Sequence, residues 1–141
     1  AYWLAGREGA GSSCLTVDDT LIGRWQAAGG GPQARLDPQA AALIRWVGAD
    51  AYNVEPHIAT FDPPGSGRVL LCSDGLSRYL SAAEDLAAAA THDPPEVAAG
   101  RLTQLALDAG GQDNITIVIA PFPPEGDGRS SWAEIPGEPG R

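Results

Sequence analysis

The feature that most constrains this chain is a pair of short apolar runs, each bounded by a sharp Asp/Gly break. Val69-Leu70-Leu71-Cys72 is continuously apolar and stops at Ser73-Asp74-Gly75. Such a run reads as a strand buried on both faces. Ile115-Thr116-Ile117-Val118-Ile119 is β-branched throughout and follows Gly110-Gly111-Gln112-Asp113-Asn114, which makes it the strongest strand candidate. If the two strands are antiparallel neighbours, the end of one lies beside the start of the other. Asp74 and Asp113 then meet at one edge of a sheet.

Other punctuation fills in the architecture. Tyr2–Leu4 and Ser13–Val17 read as strands joined through the glycine-rich residues 6–11, a hairpin pattern. Leu21–Ala28 reads as a short helix ended by Gly29-Gly30-Gly31. Asp37-Pro38 has the form of an N-cap followed by proline at the first helical position, with Ala40–Trp46 as helix body. His57–Phe61 is a weaker strand candidate. Ser81 and Glu84 have capping-box spacing for an alanine-rich helix through Ala90. Asp93-Pro94-Pro95-Glu96 opens another helix, with Ala98, Leu102, Leu105, Ala106 and Ala109 on one face and Gly110-Gly111 at its end. The class is α+β. From Phe122 to Arg141 the chain is rich in Pro, Gly and Ser, and reads as a disordered tail or linker after a folded body over residues 1–121.

Composition narrows the chemistry. The nine basic residues are all arginines, against eighteen acidic ones, for a net charge of −9. Absence of lysine excludes a Walker-type phosphate loop and Schiff-base chemistry. The acidic balance argues against nucleic acid and anionic membrane as partners. No apolar run approaches the roughly 20 residues of a membrane span, and the expected location is cytoplasmic. The 141 residues contain no Met and begin with Ala, so the chain reads as a piece of a longer protein. Apolar residues make up 43%, but aromatics only 6%. Alanine buries little area, so a core built this way gains from a second half. The two cysteines, Cys14 and Cys72, lack metal or framework spacing and read as reduced thiols.

Two oxygen-ligand carboxylates at a sheet rim suit Mg²⁺ or Mn²⁺, with water completing an octahedron. Aspartates at strand ends also make Asx-turns and caps, and spacing alone leaves both open. A third reading overlaps the same place. Cys72-Ser73-Asp74-Gly75-Leu76-Ser77-Arg78 matches C-x-x-G-x-x-R, the cradle of cysteine-dependent phosphatases, in which Cys72 would attack phosphorus and Arg78 hold its oxygens. Asp74 would place negative charge inside that anion cradle. Leu71 and Tyr79 also depart from the residues that flank such a loop.

The segment Leu70-Leu71-Cys72-Ser73-Asp74-Gly75-Leu76, followed by Gly110-Gly111-Gln112-Asp113-Asn114-Ile115-Thr116, resembles the C-terminal signature pair of PPM-type (type 2C) metal-dependent protein serine/threonine phosphatases. Ala1-Tyr2-Trp3-Leu4 resembles the strand after that family's G-D-S-R segment. Leu15–Thr20 resembles its L-T-x-D-H-S element, with Asp19 where His is common. Ile44-Arg45-Trp46-Val47-Gly48 resembles its short helix ending in L-G. The similarity runs in family order from Ala1 to about Phe122.

The resemblance implies part of a four-layer αββα sandwich of antiparallel sheets flanked by helices, with the N-terminal portion missing. It implies an enzyme that hydrolyses phosphoserine and phosphothreonine in proteins through water activated by two Mn²⁺ or Mg²⁺ ions. Asp74 and Asp113 would be metal ligands, Asn114 would position first-shell water, and Cys72 would be core. Partners would be phosphoproteins, in bacterial signalling that counters Ser/Thr kinases, and the other half of the same domain. The family's early D-G-M-G-G-type segment and its phosphate-holding arginine have no counterpart in this chain, so the chain alone is expected to be inactive. A non-catalytic phosphatase-like interaction module and an unrelated α+β binding domain are the alternatives.

Overall fold

The computed structural model describes residues 1–6, 11–30, 40, 42–52 and 55–123. The expected tail from residue 124 to Arg141, and the Asp37-Pro38 helix start, lie outside the described residues.

Four strands, β1 (Tyr2–Ala5), β2 (Ser13–Cys14), β3 (Gly67–Cys72) and β4 (Ile117–Phe122), form one sheet in the order β2-β1-β3-β4. Every neighbouring pair is antiparallel. Helices α1 (Leu21–Ala27), α2 (Asp74–Ser77), α3 (Ala83–Ala90) and α4 (Pro95–Asp108) complete the described elements. The register sets Tyr2 opposite Leu70 and Leu70 opposite Ile119, while Leu71 lies opposite Val118 and Cys72 opposite Ile117.

Because side chains alternate along a strand, this register sorts the sheet into two faces. Tyr2, Leu4 and Leu70 point to the side covered by α3 and α4. There they join Leu76, Leu86, Ala87, Ala90, Ala98, Leu102 and Ala106 in one core, with Cys72, Ile117 and Ile119 packed against it. On α4 the alternation of small and large residues at Ala98, Leu102 and Ala106 keeps one helical face close to the sheet. Leu105, expected on that face, is exposed. Arg68 on β3 donates to the Ala90 carbonyl, placing positive charge at the C-terminal end of α3.

The opposite face differs from expectation. Trp3 is buried there against Phe61 and Phe122, at ring-centroid distances of 5.5 and 6.1 Å. Leu71 and Val118, by contrast, are 49% and 51% exposed. β3 is therefore buried on one face at its site-proximal end. The apolar run reflects a strand ready to be covered on both sides, and no described element covers the second.

Local signals held in some places and lost to tertiary contacts in others. Thr20 caps α1, its hydroxyl accepting from the Gly23 N–H at 3.0 Å, and Gly29 ends the helix at a φ of +84°. Residues 42–47 are not helical. Leu43 bridges Thr20 in antiparallel fashion, and the Ile44 N–H donates to the Asp19 carbonyl. Ile44, Trp46 and Val47 are bulky or β-branched residues of modest helix propensity, and a non-helical segment with one bridge to Thr20 forms instead. His57–Phe61 is irregular; prolines at 56, 63 and 64 flank it, and Phe61 serves the Trp3 cluster instead. The Ser81–Glu84 capping box does not form. α3 starts after Ala82, and the Glu84 carboxylate accepts from the Ser12 N–H at 2.9 Å. β4 starts at Ile117 and runs through Phe122, one residue past the expected end of the folded body.

Candidate metal centre

β3 ends at Cys72, and the chain turns directly into the single turn of α2, whose first residue is Asp74. This turn is tight because Gly75 packs onto the backbone leading into β4. A Cβ at Gly75 would lie 2.3 Å from the Asn114 carbonyl oxygen. Two hydrogen bonds of one hydroxyl fasten the two loops. Ser73 Oγ donates to the Asn114 carbonyl at 2.7 Å and accepts from the Thr116 N–H at 3.0 Å. The Ser73 N–H donates to the Thr116 carbonyl at 3.0 Å as well. The Thr116 N–H thus goes to a side chain instead of a strand carbonyl, and β4 begins at Ile117, two residues later than its β-branched run.

A second tie lies one turn further on. Tyr79, following α2, accepts from the Gln112 N–H at 3.1 Å. Gly110 and Gly111, with φ of +133° and +54°, let the chain reverse after α4 and reach that hydroxyl. Gln112, Asp113 and Asn114 are thereby held from both ends.

The consequence is that Asp74 and Asp113 share one cation. An Arg78 guanidinium nitrogen (Nη2) stands 3.8 Å from Asp74 Oδ2 and 3.5 Å from Asp113 Oδ2. The other oxygen of Asp113 accepts from the Asn114 N–H at 2.8 Å, leaving Oδ2 turned toward the shared position. The two side chains are 67% and 42% exposed, so solvent and solutes reach them. Asn114 is exposed beside them, and its backbone is part of the Ser73 tie.

This arrangement fits a hard divalent cation. A positive group already stands between two carboxylate oxygens, and oxygen donors with open solvent access suit Mg²⁺ or Mn²⁺. Among the described residues no group of three or more His, Cys, Asp or Glu could hold a metal, so an ion placed here would need donors beyond this pair. The thiolate alternative does not survive. Cys72 packs against the core, and burial pushes its thiol above the ordinary range, opposite to what a nucleophilic thiolate requires. Arg78 faces two carboxylates instead of an anion cradle. Cys14 and Cys72 are both free thiols.

The site sits in a recognisable setting. Over 110 residues the sequence is 37% identical to the serine/threonine protein phosphatase PstP of Mycobacterium tuberculosis, a match covering 75% of this chain and 20% of PstP. The crystal structure of M. tuberculosis PstP/Ppp superposes with a TM-score of 0.66 at 31% identity, covering 84% of this chain and 48% of that one. Both are serine/threonine phosphatases, and over most of its length this chain is similar to that family. A PPM Ser-Thr phosphatase from Mycobacterium smegmatis, MsPP, solved with cacodylate, gives a TM-score of 0.60 at 33% identity and covers 84% of this chain and 50% of its own. The PstP catalytic domain solved in complex with two manganese ions gives 0.62 at 32% identity over 84% of this chain and 47% of that one. No family model matches the sequence. The chain spans about half the length of these PPM structures and a fifth of the curated relative. Its antiparallel sheet with flanking helices is the PPM architecture over part of that domain. No described helix is long and apolar enough to cross a membrane.

Three residues of the site lay outside the sequence reading in these roles: Ser73, Tyr79 and Arg78. Arg78 carried a readable signal, since it stands four residues after Asp74 in a helical turn, where opposite charges meet. Nothing local marks Ser73 and Tyr79 as ties, because their partners lie 41 and 33 residues away.

Proposed function

We propose that this chain contributes one wall of the metal centre of a protein phosphatase acting on phosphoserine and phosphothreonine. Asp74 and Asp113 would be carboxylate ligands to Mn²⁺ or Mg²⁺, in a complete site holding two ions. Asn114, beside Asp113, would order first-shell water. The observation that carries this reading is the convergence of both Oδ2 atoms on one cation at the joined ends of β3 and β4. PstP with two manganese ions supports the choice of metal.

Bound divalent ions supply an activated water and neutralise charge on the phosphoryl oxygens. The residues of this chain contribute position. Ser73 and Tyr79 hold the two carboxylates at a fixed separation, and their exposure leaves room for a phosphorylated side chain of another protein. Two carboxylates make an incomplete octahedron, so further donors come from the part of the PPM domain that this chain does not span. Alone, the chain is expected to have no phosphatase activity.

The test is Asp113→Asn in the phosphatase domain that carries this chain, assayed with Mn²⁺ on an aryl phosphate and on a phosphothreonine peptide. Losing a ligand should lower kcat/KM by about a hundredfold or more, beyond the effect of disturbing an outer-shell partner. Activity close to that of the parent would refute the assignment. A parent without activity, yet still binding phosphoproteins, would favour the non-catalytic interaction module.

A further inference from the structure

We propose that Arg78 is a resident counter-cation of this centre: it occupies the place between Asp74 and Asp113 until a divalent ion displaces it, and so sets how much metal the site requires. The inference rests on the reading of Asp74 and Asp113 as metal ligands.

The geometry distinguishes Arg78 from an ordinary surface pair. An i,i+4 partner on a one-turn helix would satisfy Asp74 alone. Here the same nitrogen that lies 3.8 Å from Asp74 Oδ2 lies 3.5 Å from Asp113 Oδ2, 35 residues away in sequence. No other cation among the described residues pairs with either carboxylate. Two anions brought together repel, and the guanidinium offsets that repulsion while the metal is absent. A divalent ion entering between the same oxygens meets a positive charge already in place. It must break both contacts, and the guanidinium must swing outward.

The side chain is free to do so. It is nearly half exposed, and neither contact is short. The competition is therefore that of solvent-exposed pairs, modest in size and screened by salt. Removing the charge should tighten divalent-ion binding about three- to tenfold at low ionic strength, the combined effect of two exposed pairs. The gain should shrink as salt is added.

Mn²⁺ binding to the full chain, followed by electron paramagnetic resonance of the free ion, tests this without recourse to catalysis. Arg78→Gln should bind Mn²⁺ three- to tenfold more tightly than the parent, with the difference falling at 0.5 M NaCl. Arg78→Lys, which keeps the charge, should stay near the parent. Unchanged or weaker binding by Arg78→Gln overturns the proposal, as does equal tightening by Arg78→Lys, which would point to shape instead of charge. Asp113→Asn is the separate control. If it leaves Mn²⁺ affinity unchanged, the metal-ligand reading itself falls, whatever Arg78 does.

Discussion

Ser73 Oγ donates to the Asn114 carbonyl oxygen at 2.7 Å, joining the turn that carries Asp74 to the turn that carries Asp113. The same oxygen accepts from the Thr116 N–H. One hydroxyl thus ties together the two turns that carry these carboxylates.

Replacing Ser73 by Ala removes both bonds. Because the site is open to water, the stranded backbone groups can be resolvated, and the loss should be about 1 kcal/mol, read by urea denaturation. The informative quantity is metal affinity. Mn²⁺ binding should weaken by more than a distant 1 kcal/mol substitution would produce, since the carboxylates are no longer held in register.

Gly75→Ala sets two effects of opposite sign against each other. Alanine is favoured over glycine within a helix by about 1 kcal/mol. Its Cβ, however, would meet the backbone oxygen of Asn114 at 2.3 Å, a contact no side-chain rotation relieves. Overpacking of this kind costs about 1–3 kcal/mol, so the net change should be destabilising and should push the two turns apart. A raised melting temperature for Gly75→Ala would show that the turns are not in contact.

Leu70 and Leu71 are neighbours with opposite fates, and a paired substitution reads out the two faces. Leu70→Ala empties a fully buried position and should cost about 2–5 kcal/mol. Leu71→Ala, on the half-exposed side, should cost clearly less. Equal losses in a chemical denaturation series would mean that the face assignment is wrong.

Burial raises the Tyr2 hydroxyl and the Cys72 thiol above their ordinary pKa ranges, so the folded chain holds both protons more tightly than the unfolded one. Stability is therefore complete below the unfolded thiol value of about 8.5. It should decline as the pH rises past that point, and again above about 10, where an unfolded tyrosine ionises. Melting temperature measured from pH 7 to 11 should fall in this order, and Cys72→Ala should remove the earlier component.

Much of this was legible in the residues because the signals were local. The apolar and β-branched runs, the helix start at Pro94-Pro95 and the Gly110-Gly111 reversal are each written within a few positions. The meeting of Asp74 and Asp113 needed only one further step, the antiparallel pairing of two consecutive-looking strands. What escaped was decided at long range. Glu84 left its capping geometry for the Ser12 N–H, and residues 42–47 gave up a helix to bridge Thr20. The Thr116 N–H left the ladder for the Ser73 hydroxyl. In each case a backbone group found a partner tens of residues away, and no window along the chain contains that information.

The open side of the sheet carries a last consequence. Leu71 stands three residues before Asp74, and its cross-strand neighbour Val118 stands five residues after Asp113. A layer resting on these two side chains would stiffen the strands that lead to both carboxylates. By reciprocity, an ion that draws the carboxylates together must strengthen the seating of that layer by the same factor. On the proposed metal-ligand reading, covering this face and loading the metal are two faces of one equilibrium.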